Sequence, residues 1–127
     1  MNDYIMIKQW DLNACTLTPE VSSTMFQTNK KFILEQLKEE VPSIVLSHHG
    51  ASNISNGKYI GGEMQSAFAT DIPELSDFKH LIACFNGHTH QSMNTLIPGT
   101  HIKLLSNCYG YPGEKTDFDY NAVFEVL

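Results

Sequence analysis

The chain has 127 residues, 42% of them hydrophobic and 17% charged, a composition typical of one soluble globular domain spanning residues 1–127. The net charge of −6 and the lack of arginine argue against a nucleic-acid-binding surface. No apolar run is long enough for a membrane span and the N-terminus lacks a signal-peptide layout, so we expect a cytoplasmic protein without a membrane partner.

The N-terminal third of the sequence predicts one strand and one long helix. Asp3–Lys8 reads as a short strand. Thr18 is a suitable cap and Pro19 a suitable first residue for a helix. Apolar residues continue at helical spacing from Thr24 to Glu40, and they are expected to be core positions.

The rest of the chain predicts two short helical stretches, two irregular loops and several strands. Helices are expected to start in Glu63–Ala69 and Asp71–His80, with Asp71 as a cap. Loops are expected over Ala51–Gly62 and Asn107–Glu114, and Pro98-Gly99 marks a turn. The predicted strands are Ser43–Ser47, Leu81–Phe85, Met93–Ile97, His101–Leu105 and Ala122–Val126. Alternating helices and strands followed by mainly strands indicate a layered α/β domain.

Four of the six histidines follow two of these strands. His48 and His49 come directly after Ser43–Ser47, and His88 and His90 come after the strand that runs into Asn86. Ligands of open α/β sheets bind beyond the carboxyl ends of the strands, and imidazole is the commonest metal-binding side chain. The pattern therefore predicts a metal site. The other two, His80 and His101, lack such a context, and Cys84 and Cys108 are expected to be buried packing residues.

Three segments, in this order, resemble the calcineurin-like metallophosphoesterases. Ser47-His48-His49 is similar to the motif in which a strand ends in a metal-binding histidine. Asn86-Gly87-His88-Thr89-His90 is similar to the family's Gly-His-x-His motif. Asn107-Cys108-Tyr109-Gly110-Tyr111-Pro112 resembles a late segment of one bacterial branch, although Asn107 and Tyr111 are expected to serve as turn and packing residues.

The resemblance implies the C-terminal half of an αββα sandwich of mixed sheets flanked by helices, with a site for two divalent ions of manganese, iron or zinc. It implies that His48 and His88 bind one ion, that His90 binds the other, and that His49 assists at the substrate phosphate. The family's Asp-x-His, Gly-Asp and Gly-Asn-His motifs do not occur in this chain. Gly50 replaces the family's usual proline, which is expected to loosen that loop, and Tyr109 replaces an arginine.

These features leave three interpretations. The chain is either part of a phosphoesterase that hydrolyses a phosphate monoester or diester through a metal-activated water, or a catalytically inactive half-domain that binds a metal or a protein, or a small α/β domain with coincidental histidines. At most one ion is expected without the missing carboxylate, because two neighbouring cations need negative ligands between them. A complementing N-terminal half or self-association is expected to cover the exposed sheet.

Overall fold

The computed structural model describes residues 17–63 and 65–126. The predicted strand Asp3–Lys8 and Cys15 lie outside the described residues. The chain forms two compact units, residues 1–36 and residues 37–127.

In the first unit, the described structure is one helix, α1 (Pro19–Gln36). The predicted start is confirmed, since Thr18 accepts hydrogen bonds from Val21 N at its side chain (3.3 Å) and from Ser22 N at its carbonyl (2.9 Å). The helix ends four residues before the predicted Glu40, because the acidic pair Glu39-Glu40 would oppose the negative end of the helix dipole. No described helix is long and apolar enough to cross a membrane.

The prediction that the apolar residues of Thr24–Glu40 are core residues is confirmed for Leu37, which is buried, and wrong for the apolar residues of α1. None of the residues of this helix is buried, and Met25 and Phe32 are more than half exposed. Helical spacing places such residues on one side of a helix, but it does not provide a surface that covers them.

The second unit contains a mixed four-stranded sheet in the order β1-β2-β4-β3. Its strands are β1 (Ser43–Ser47), β2 (Leu81–Asn86), β3 (Met93–Leu96) and β4 (Lys103–Ser106). β1 and β4 both run parallel to β2, whereas β3 runs antiparallel to β4. The predicted mixed α/β class is confirmed at this level, as one mixed sheet with helices.

The core of this unit includes the buried residues of the two inner strands, β2 and β4. Cys84 and Leu104 are paired in register on β2 and β4, and both are almost completely buried. Burial raises the pKa of the Cys84 thiol to about 11, so this cysteine is an unreactive packing residue. Cys108 is also buried, as predicted.

The helical stretches after β1 are shorter and tighter than predicted. The expected loop contains a 3₁₀ helix, Asn53–Tyr59, and the two expected helices are 3₁₀ turns at Gln65–Ala67 and Pro73–Asp77. Asp71 does not cap the turn that follows it. Its carboxylate instead accepts hydrogen bonds from Asn53 N (2.6 Å), Asn53 Nδ2 (2.7 Å) and Ser52 Oγ (3.0 Å), and so it anchors the start of Asn53–Tyr59.

The hairpin of β3 and β4 turns at Pro98-Gly99, as predicted. Thr100 N donates to Ile97 O (3.0 Å), and Gly99 has a φ of 76°, as the third position of a type II turn requires. The predicted strand Ala122–Val126 is wrong, since this segment has no strand partner among the described residues. Ala122, Phe124 and Val126 are half-buried and alternate with exposed residues, and Phe124 packs edge-on against Phe85 of β2.

Candidate functional site

The sheet topology brings the three segments that carry the resemblance to one edge of the sheet. β1, β2 and β4 are parallel, so their carboxyl ends lie on the same side of the sheet. His48-His49 follows β1, Gly87–His90 follows β2 and Asn107 follows β4. Gly87 N donates to His48 O (3.0 Å), which continues the pairing of β1 and β2 beyond the strands themselves. The two histidine segments are thereby held side by side.

Three of the four predicted histidines form a cluster. His48 Nε2 and His88 Nδ1 lie 3.0 Å apart and share a hydrogen bond, with one imidazole as donor and the other as acceptor. The His49 ring lies 4.6 Å from that of His88 and 5.2 Å from that of His48, between ring centroids. Although His48 and His49 are neighbours in the chain, both rings contact His88. We call His48, His49 and His88 the histidine cluster.

An aromatic stack supports the histidine cluster from one side. The Phe68 ring lies 5.0 Å from the His88 ring, and Tyr59 stacks on Phe68 at 4.8 Å with nearly parallel planes. These two aromatic residues come from the predicted loop and from the short helical stretch after it. Sequence reasoning missed them, because neither has a motif that connects it with a histidine.

His88 and His90 have an unusual backbone conformation. Their φ values are 63° and 51°, and they are the only described non-glycine residues with positive φ. Such a conformation costs about 1–3 kcal/mol for a residue with a Cβ atom, and it concentrates at functional sites. Thr89 between them is completely buried, and its N–H donates to Gly87 O (2.7 Å). The turn therefore directs two neighbouring imidazoles away from a buried threonine.

His90 belongs to a second group of contacts. Its Nδ1 lies 2.7 Å from Glu114 Oε2, and its ring meets the Tyr111 ring edge-on at 4.6 Å. Glu114 Oε2 also accepts a hydrogen bond from Tyr111 N (3.0 Å), and Lys58 Nζ lies 3.9 Å from Glu114 Oε1. The Tyr111 hydrogen bond and then the His90 contact lower the pKa of Glu114 below its usual value. Glu114 was not identified from the sequence.

Gln91 ties the Gly87–His90 turn to the 3₁₀ helix Asn53–Tyr59. Its Oε1 accepts from Lys58 N (3.1 Å), and its Nε2 donates to Asn56 O (3.3 Å) and Thr89 O (3.4 Å). Gly57 interrupts this 3₁₀ segment with a φ of 48° and a ψ of −114°, a backbone conformation that is strained for any residue with a Cβ atom. The Gln91 carbonyl in turn accepts from Ser106 Oγ of β4 (2.8 Å).

The expectation that Gly50 loosens the turn after His49 is wrong. Gly50 is buried, its N–H donates to Phe68 O (3.1 Å), and its carbonyl accepts from Thr70 N (3.0 Å). A proline at this position would remove the first of these bonds. Gly50 therefore fixes the turn to the Phe68 segment.

The remaining predicted residues have structural contacts. His80 Nε2 bonds to Leu37 O (2.7 Å) and His101 Nε2 to Leu81 O (3.1 Å). Asn107 accepts from Asp119 N (3.0 Å) and donates to Asp119 O (2.8 Å), which confirms a turn-stabilising role. Tyr111 packs against His90 and is otherwise largely exposed.

The distance between the two facing nitrogens of the histidine cluster can be compared with the distances between ligand atoms of a divalent ion. Neighbouring ligand atoms with bonds of ~2.1 Å lie about 3.0 Å apart in octahedral and about 3.4 Å apart in tetrahedral coordination. The separation of 3.0 Å between His48 Nε2 and His88 Nδ1 therefore fits two adjacent ligands of one ion. Within the described ranges, no group of three or more histidine, cysteine, aspartate or glutamate side chains has an arrangement that could hold a metal.

The geometry thus offers a two-nitrogen site and a separate, carboxylate-bonded histidine at the same edge of the sheet. Comparisons with protein-family models, with curated proteins and with solved structures found no match to this chain.

Proposed function

We propose that this chain is the C-terminal part of a metal-dependent phosphoesterase of the calcineurin-like type, which hydrolyses a phosphate monoester or diester. The observation that carries the proposal is the 3.0 Å approach of His48 Nε2 and His88 Nδ1, two residues that are forty positions apart in sequence. The resemblance implies that both are ligands of the same ion.

The conformation of the Gly87–His90 turn supports the same proposal. Two strained residues in one turn, His88 and His90, are unfavourable for stability and need a compensating role. The turn is held by Gln91, by the pairing of Gly87 with His48, and by the contacts of His90 with the late loop. A rigid support of this kind is what a ligand site requires, because ligand geometry must be set before binding.

In the proposed site, His48 and His88 would hold one ion, His90 would hold its neighbour, and His49 would lie beside the substrate phosphate. A bound divalent ion would supply Lewis acidity toward the phosphoryl oxygens and an activated water. The chain's own contribution is to orient the ligands. For both facing nitrogens of His48 and His88 to be ligand atoms, the proton that they share would have to be carried by the far nitrogen of one ring.

The proposal requires further ligands that this sequence does not contain. The carboxylate between the two ions and the Asp-x-His, Gly-Asp and Gly-Asn-His motifs are supplied by another segment, on the same or on a separate polypeptide. The proposed αββα sandwich is then completed by that segment.

A second candidate function is that of a catalytically inactive module that binds at most one ion or a protein partner. The absence of Gly-Asp and Asn-His from the sequence favours it, because imidazoles alone cannot offset the repulsion between two cations. The two candidates agree on His48 and His88 and differ on whether hydrolysis can occur.

The test titrates the purified chain with Zn²⁺ and, separately, with Mn²⁺, and measures binding by calorimetry. The proteins compared are the wild type, His48→Ala and His88→Ala. We expect about one ion per chain, with affinity reduced about 100-fold or more in both variants, beyond the 10–100-fold typical of a supporting residue. His101→Ala is the matched control, since His101 bonds to a backbone carbonyl away from the cluster. Equal affinities in all four proteins would contradict the proposed site.

Hydrolysis separates the two candidates. With the missing motifs supplied on a second polypeptide, the phosphoesterase proposal predicts metal-dependent hydrolysis of an aryl phosphate that His88→Ala abolishes. Metal binding without hydrolysis under the same conditions would favour the inactive module.

A further inference from the structure

Glu114 is a carboxylate that bonds to a histidine of the candidate site. It lies 24 residues after His90, in the late loop, and its carboxylate oxygen Oε2 is 2.7 Å from His90 Nδ1. The same oxygen accepts from Tyr111 N (3.0 Å).

The short distance determines which nitrogen of His90 carries the proton. An ionised carboxylate has no hydrogen to donate, and two lone pairs at 2.7 Å would repel each other. The contact is therefore a hydrogen bond only if His90 Nδ1 carries the proton. In the neutral ring, Nε2 is then the nitrogen with the free lone pair.

The surroundings of Glu114 keep its carboxylate ionised and in place. The Tyr111 and His90 contacts hold the pKa of Glu114 below its usual value, and Lys58 Nζ adds a nearby positive charge. Gly110 has a φ of 81°, and a Cβ atom there would lie 2.8 Å from Glu114 Oε2. The loop thus has room for this carboxylate because position 110 has no side chain.

We propose that Glu114 is a positioning residue that fixes His90 as the Nδ1-protonated tautomer and so presents Nε2 as the ligand atom. A carboxylate on the far nitrogen of a metal-binding histidine orients the ring and raises its basicity. The value of this arrangement for metal binding rests on the proposed function, but the tautomer of His90 does not. Glu114 carries no role in the reaction itself.

The test measures the tautomer directly, by long-range proton–nitrogen NMR of the imidazole rings in the metal-free chain in mildly alkaline buffer. We expect His90 in the wild type to be the Nδ1-protonated form, and the Nε2-protonated form to become the major one in Glu114→Ala, which has no acceptor for His90 Nδ1. Glu114→Gln should keep the Nδ1-protonated form, because its amide oxygen can take the place of Oε2. Glu63→Gln, a change at an exposed glutamate of another loop, is the control and should leave His90 unchanged. Backbone amide signals of β2 and β4 report whether each variant is folded.

A loss of loop structure alone would not reproduce the difference between the two variants. The amide oxygen of Glu114→Gln can accept from both Tyr111 N and His90 Nδ1, as Glu114 Oε2 does, so this variant should retain the tautomer that Glu114→Ala loses. An Nε2-protonated His90 in the wild type, or equal tautomer populations in wild type and Glu114→Ala, would overturn the inference.

Titration with Zn²⁺ alone then separates this inference from the proposed function. If both hold, Zn²⁺ perturbs the His90 Nε2 signal. Glu114→Gln is then expected to raise the Zn²⁺ concentration needed for the same change about 10–100-fold. A wild-type chain that shows the Glu114-dependent tautomer but no response of His90 to Zn²⁺ would count against the proposed function and leave the positioning role intact.

Discussion

Gly50 positions the His48-His49 turn, because the absence of a side chain allows a close approach to neighbouring segments. A Cβ atom at this residue would lie 2.4 Å from Ser55 Cβ and 2.9 Å from Ala69 Cβ, both too close for any real contact. The close approach allows Gly50 to bond to Phe68 O and Thr70 N in a short parallel bridge. One residue thus links the turn after β1 to the segment that carries the aromatic support of His88.

Gly50→Ala is expected to destabilise the chain by about 1–3 kcal/mol, because the added methyl group overpacks a buried position. The measurement is chemical denaturation followed by circular dichroism. Gly62→Ala is the control, since its nearest neighbour would be Tyr59 O at 3.2 Å and the residue is exposed. Equal midpoints for the two variants would show that the Gly50 contacts relax without cost.

At the scale of elements, the site is a set of turns attached to parallel strands, and the turns are held mainly by side chains. Gln91 is the central example, because one amide group bonds to the 3₁₀ helix Asn53–Tyr59 and to the Gly87–His90 turn. Asp71 plays a similar part at the other end of that helix. A short 3₁₀ helix has little stability of its own, so these bonds decide where it forms.

Gln91→Ala is expected to raise the hydrogen-exchange rate of the Lys58 amide about fivefold, which corresponds to the loss of a hydrogen bond of about 1 kcal/mol. The exchange rate is measured by NMR at the Lys58 N–H. Asn94→Ala on β3 is the control, because Asn94 is exposed and lies on the strand that follows the turn. An unchanged Lys58 rate in Gln91→Ala would mean that the 3₁₀ helix holds its position without this bond.

At the scale of the whole molecule, β1 is an edge strand of the described sheet and carries exposed apolar residues. Ile44 is 43% and Leu46 is 76% exposed, while Val45 between them is buried. Leu46 is paired in register with Phe85 of β2, so its side chain extends the apolar surface on that face of the sheet. An exposed edge with such a face favours pairing with another chain.

We therefore expect the purified chain to self-associate as its concentration rises, and Leu46→Lys to reduce this association, because a lysine on an edge strand opposes strand pairing. Sedimentation velocity over a range of concentrations measures the effect. Asn94→Lys adds the same charge to β3 at the opposite edge and serves as the control. Equal reduction by both variants would indicate that net charge, and not the β1 surface, governs association.

The local sequence signals determined a substantial part of this structure. β1 has the predicted bounds, β2 begins at the predicted Leu81, and the Thr18-Pro19 start and the Pro98-Gly99 turn are also found where they were expected. Each of these depends on neighbouring residues, such as an apolar run between breakers or a proline with a preset φ. The placement of His48 and His88 just beyond two strand ends follows from the same local signals.

Only the tertiary structure decided what lies beside those histidines and how the loops fold. Glu114 reaches His90 across 24 residues, Phe68 supports His88, and Asp71 anchors Asn53 in place of its own turn. Apolar spacing likewise did not predict that Phe32 on α1 is exposed. Nor did it predict that Ala122–Val126 has no strand partner among the described residues. The sequence by itself determined the bounds of β1 and the start of β2, because these follow from apolar runs between breakers, whereas β3 and β4 differ from their predicted bounds by one or two residues. The contacts that turn the histidines into a site come from parts of the chain distant in sequence, and such contacts exist only once the sheet has brought its carboxyl ends together.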